Sequence, residues 1–178
     1  MSSSNELERR AATGVTTASG RKLTGFIARF NTEARIGSFR ETIKPGAFRA
    51  SLTSGRDILA LVDHDPKAVL GRTKSGTLEL REEAEGLAFT LSLPDTQAGR
   101  DLIALAERGD LGGCSFGFTV PKDGDHWNGD SRELRSVDLH EVSIVQSWPA
   151  YANTEVNLRS RQPANQLALL RYWLETAK

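Results

Sequence analysis

The strongest constraint in this sequence is a repeated alternation of apolar and polar residues in short runs. Leu78 and Leu80 alternate with charged residues, and Leu87, Phe89, Leu91 and Leu93 follow with the same period. Cys114, Phe116, Phe118 and Val120 repeat it, as do His140, Val142 and Ile144. A period of two belongs to a strand with one buried face. Further strands are expected at 22–30, 38–43, 58–62 and 68–71, with 133–145 as one long strand or a bent pair. Lys44-Pro45-Gly46, the EEAEG run at 82–86 and Asn128-Gly129 supply turns between them. The clearest helical spacing is that of Leu102, Ile103, Leu105 and Ala106, with Asp95 or Thr96 as cap and Gly109 as stop. A terminal helix is expected at 163–177, with Leu167, Leu170 and Leu174 on one face. Many short strands and few helices predict a mainly β (α+β) fold, a barrel or sandwich with peripheral helices.

The chain has 178 residues, enough for one sizeable core. Residues 1–20 are rich in Ser, Thr and Ala and are expected to form a flexible arm or an edge strand. Residues 21–158 are expected to form the main domain and 159–178 a helical tail. Lys+Arg and Asp+Glu balance at 23 each, which argues against a nucleic-acid partner. The longest strongly apolar run, 58–62, is far too short to cross a bilayer. The first twenty residues hold no apolar signal core, so no secretory signal is expected, and with no disulfide framework a reducing cytoplasm is the expected setting. One cysteine, Cys114, excludes an internal disulfide and a multi-cysteine zinc site. Three histidines, His64, His126 and His140, lack metal-ligand spacing, so neither metal nor cofactor is expected.

The stretch GDLGGCSFGF, 109–118, places two candidate nucleophiles side by side. Alternation puts Cys114 with Phe116, Phe118 and Val120 on an apolar face. Ser115 shares the other face with Gly117 and Thr119. Cys114 therefore reads as a small buried hydrophobe, and Ser115 as the better nucleophile. Gly112 and Gly113 let a backbone approach closely, and their N–H groups are candidate oxyanion donors. On this segment alone, an ordinary strand serine is the commoner reading. A serine nucleophile needs a base and a group that orients the base. His64, in LVDHDP, ends a strand and by alternation shares a face with Ile58, Ala60 and Val62. His126 sits in DGDHWNGD, which reads as a hairpin tip and departs from a calcium loop at Trp127 and Asn128. His140 keeps company with Val142 and Ile144, whereas Glu141 lies with Ser143 on the more polar face. A bulge would reverse that last assignment.

Six segments in order carry a resemblance: GFIARFN, FRETIKPGAF, LVDHDPKAVLGRTKSGTLEL, EGLAFTLSLPDTQAGRDL, GGCSFGF and LHEVSIVQSWPAY. Together, over roughly residues 23–152, they resemble the prohead maturation proteases of tailed bacteriophages, serine peptidases distantly related to herpesvirus assemblin. The resemblance implies a herpesvirus-protease-like β-barrel. It places the nucleophile on Ser115, the base on His64 and the third member on Glu141, with His140 as runner-up. It implies that the enzyme works inside the assembling procapsid in the host bacterial cytoplasm. Its partners would be the major capsid protein, whose scaffolding segment it cleaves, and the chain itself as a substrate; a homodimer or higher oligomer is a further expectation. Two alternatives stand beside it. One is a non-catalytic module that binds capsid or scaffold protein. The other is a cysteine hydrolase using Cys114 and His140.

Overall fold

The computed structural model describes residues 6–12 and 17–146. The elements run β1 (Glu8–Ala12), β2 (Thr17–Ser19), β3 (Lys22–Arg29), β4 (Glu33–Ile36) and β5 (Phe39–Ile43), then helix α1 (Arg49–Thr53). Next come β6 (Leu59–Val62), β7 (Asp65–Arg72), β8 (Leu78–Glu82) and β9 (Gly86–Ser92), then helix α2 (Gln97–Arg108). The described chain closes with β10 (Gly113–Thr119), β11 (Asp125–Asn128), β12 (Ser131–Leu134) and β13 (Asp138–Val145). The fold is mainly β. The helix expected at 163–177 lies outside the described residues.

Among the described residues the strands form three sheets, and the expected closed barrel is not found. Their orders are β1-β10-β13-β6-β7, β11-β12-β5-β4 and β2-β3-β9-β8. The segment expected as one long strand or a bent pair is the bent pair, β12 and β13. It breaks after Leu134, where Arg135 and Ser136 both donate their backbone N–H to the Gly124 carbonyl at 2.8 Å. The two halves then join different sheets, β12 beside β5 and β13 beside β6 and β10.

Local sequence accounts for the rest of the frame. In α2, Thr96 Oγ1 accepts from the Gly99 N–H, and Gly109 takes a φ of 75° that ends the helix. The apolar faces of β3, β9, β10, β13 and β6 meet in one core, where Leu23, Ile27, Leu91, Phe116 and Phe118 are fully buried. Phe48, just before α1, packs edge-on against Phe116 with ring centroids 5.6 Å apart. Ser51 Oγ in α1 donates to the Val137 carbonyl at 2.6 Å and accepts from the Leu139 N–H at 2.8 Å. That bond pair fixes the start of β13, the strand that carries Glu141.

Candidate functional site

The site lies on the side of the five-stranded sheet away from the core. On β10, Cys114, Phe116 and Phe118 are buried in the core, and Ser115 and Gly117 point the other way. Ser115 is opposite Ser143 on β13, and Gly117 is opposite Glu141. Side chains on such cross-strand pairs share a face a few ångströms apart. On β6, the residues paired with Glu141 and Ser143 are Leu59 and Leu61.

His64 reaches this face through a turn that the alternation pattern does not foresee. Val62 pairs with Asp65, so Asp63 and His64 form a two-residue hairpin turn. Both take positive φ, 45° and 61°, as a type I′ turn requires. Neither is glycine, so the conformation is strained and must be held from outside. Three bonds to β13 and its end hold it. Asp63 N–H donates to the Ile144 carbonyl at 3.1 Å, His64 N–H to Ser143 Oγ at 3.1 Å, and Gln146 N–H to Asp63 Oδ1 at 3.0 Å. The turn carries His64 away from Ile58, Ala60 and Val62, which are core residues. This corrects the expected shared face.

His64 Nδ1 lies 2.6 Å from Glu141 Oε1. Ser143 Oγ donates to the other carboxylate oxygen, Oε2, at 2.9 Å. The wholly buried Ser143 hydroxyl thus ties the backbone of the histidine to the carboxylate that faces its ring. Gly117 makes room for this arrangement, because a Cβ there would fall 2.5 Å from Glu141 Oε1. Arg9 of β1 also approaches, with Nε 3.7 Å from Glu141 Oε1. The sequence reading gave no role to Ser143, Gly117 or Arg9. The E-x-S spacing on one strand face was the available signal for Ser143.

Ser115 sits on the same face but is only 3% exposed. Its hydroxyl donates to the carbonyl oxygen of Arg10 on β1 at 2.8 Å. The expected oxyanion donor Gly112 is committed elsewhere: its N–H bonds the Val145 carbonyl at 2.9 Å.

The other candidates are placed apart. A register shift sets Gly117 opposite Glu141 but Phe118 opposite Leu139, leaving His140 as an extra residue on β13. The bulge releases His140 from the face of Val142 and Ile144, yet Glu141 keeps its place beside Ser143. Arg56 Nη1 donates to His140 Nδ1 at 3.2 Å, so Nε2–H donates to Thr119 Oγ1 at 2.9 Å. Burial, and then the Arg56 charge, push His140 below its ordinary pKa and keep it neutral. Cys114 is opposite Ile144, four residues along β13 from His140 and facing the core. At about 3.3 Å per residue, the two are separated by roughly 13 Å of strand. His126 is exposed on the β11–β12 hairpin, whose turn is Gly129-Asp130. Among the described residues no cluster of three or more His, Cys, Asp or Glu could hold a metal ion.

A buried carboxylate against one imidazole nitrogen, on the face that carries a serine hydroxyl, is the equipment of a serine hydrolase. The chain belongs to the caudovirus prohead serine protease family, whose model matches residues 5–168 of 178. No curated protein and no solved structure matches it. Membership makes the protein a serine peptidase of capsid maturation, acting with capsid or scaffold protein inside the assembling procapsid. Among the described residues, no helix is long and apolar enough to cross a membrane.

Proposed function

We propose that Ser115 is the nucleophile, His64 the general base and Glu141 the residue that orients the base. The observation that carries this reading is the 2.6 Å contact between His64 Nδ1 and Glu141 Oε1 on the face that bears Ser115. With Nδ1–H held by the carboxylate, Nε2 is left as the lone-pair nitrogen that can take a proton. His64 removes the Ser115 proton as Oγ attacks a peptide carbonyl. It returns that proton to the leaving amine, and an acyl-enzyme remains. Water, deprotonated by His64, then releases the acyl group and regenerates Ser115. Glu141 fixes the tautomer and offsets the imidazolium charge in both steps. Ser143 holds the carboxylate, and Gly117 leaves space for it.

The substrate in this reading is the scaffolding segment of the major capsid protein, with the chain itself as a second substrate, in the cytoplasm of the host bacterium. Intact-mass spectrometry tests it on the wild-type chain and Ser115→Ala, each alone and with the capsid protein. Discrete capsid-protein fragments from the wild type and none from the variant are expected. The same fragments from both would remove Ser115 from the mechanism. No fragments from either would favour the non-catalytic assembly module.

A further inference from the structure

Among the described residues, β1 is the edge strand of its sheet and pairs with β10 alone, from Glu8 opposite Phe118 to Ala12 opposite Cys114. The far edge of β10 is taken by β13, which carries Glu141 and Ser143. An extended peptide that adds a strand beside Ser115 therefore has one place to go, the place β1 holds. β1 also engages the site chemically, at two points. The Arg10 carbonyl accepts the Ser115 hydroxyl proton, the proton a base would have to receive. Arg9 Nε sits 3.7 Å from Glu141 Oε1, the oxygen that faces His64. That Nε is buried and makes no hydrogen bond, so its position is costly to β1 and is relieved when the strand leaves.

We propose that β1 is a built-in plug. Residues 8–12 occupy the substrate edge of β10, and the site becomes competent when they leave. This rests on the reading of Ser115 as nucleophile. The latch is a cluster of charges on the opposite face of β1. Arg10 contacts Glu41 of β5 at 2.6 and 2.8 Å and Glu8 at 2.6 Å. Arg132 of β12 reaches Glu8 at 2.7 and 2.9 Å and Glu41 at 3.1 Å. Arg132 Nε also donates to Asp125 of β11 at 2.8 Å, so the cluster holds three carboxylates and two guanidinium groups. When β1 departs, Glu8 leaves with Arg10, and Glu41 stays paired with Arg132, so no charge is stranded in the interior. The remaining strands of the sheet, β10-β13-β6-β7, keep every pairing that positions Ser115, His64 and Glu141.

The test measures how fast a serine-directed fluorophosphonate labels Ser115 in the full-length chain, in wild type, Arg10→Ala and Glu8→Gln. Hydrogen exchange of amides 8–12 is followed in the same samples. Both variants should label about tenfold faster or more, the shift that losing one charge-assisted hydrogen bond produces in an opening equilibrium. Amides 8–12 should lose protection while those of β6 and β13 keep theirs. If Arg10→Ala does not fold, Glu8→Gln carries the comparison. Equal labelling rates, or no labelling in any of the three, overturn the plug. The Ser115→Ala capsid cleavage assay separates the two readings. A dead variant with equal labelling rates removes the plug alone, and an active one removes the nucleophile.

Discussion

Gly117→Ala perturbs the site through a single methyl group. Gly117 has no positive φ, so its backbone accommodates alanine. The new Cβ would sit 2.5 Å from Glu141 Oε1 and 3.2 Å from both Cδ and Cγ. An ordinary contact needs about 3.5 Å, so the carboxylate must retreat by about 1 Å. It is held by His64 at 2.6 Å and by Ser143 at 2.9 Å, and the retreat breaks at least the first. A misplacement of that size costs about a hundredfold in rate. Full loss of the orienting carboxylate costs about ten thousandfold in enzymes of this chemistry. The expected fall in kcat therefore lies between these two figures. Stability changes far less. Overpacking costs about 1–3 kcal/mol, and replacing glycine in a strand returns roughly 0.5–1 kcal/mol. The melting temperature should drop by no more than about 10 °C. The assay is single-turnover cleavage of capsid protein beside a melting curve. A folded Gly117→Ala protein with wild-type kcat would refute the claim that Glu141 orients His64.

Ser143→Ala removes the hydroxyl that joins His64 N–H to Glu141 Oε2. It should lower kcat by about tenfold or more with little change in KM, and Ser143→Thr should recover part of the loss; stopped-assay kinetics check both. His140→Gln should leave kcat and its acidic pH limb unchanged, because His140 contacts Arg56 and Thr119 and is held neutral there. A large loss in kcat would instead make His140 the orienting residue.

Much of the frame was legible in the sequence because it rests on local signals. The alternation of 114–120 separated a core face from a serine-bearing face, and the Thr96 cap and Gly109 stop bounded α2. What was not legible depends on long-range pairing. For residues 1–20 the sequence offered a flexible arm or an edge strand without deciding between them; β1 is an edge strand because the edge of β10 accepts it and Arg10 finds Glu41. The bulge at His140 adds one residue that no apolar pattern marks. The Asp63-His64 turn lacks the glycine that usually announces a type I′ hairpin, since bonds from β13 hold it instead. Barrel closure could not be read from strand count, because which strands pair is set by long-range contacts: the bend after Leu134 sends β12 and β13 to two different sheets.

Activation of Ser115 by the His64–Glu141 pair is tested most directly by mapping where a fluorophosphonate attaches. The full-length Glu8→Gln chain serves as background, with His64→Ala and Glu141→Gln added singly. The account predicts phosphonylation at Ser115, slowed about a hundredfold or more by either addition. Labelling at Ser115 that is indifferent to both His64 and Glu141 would contradict it.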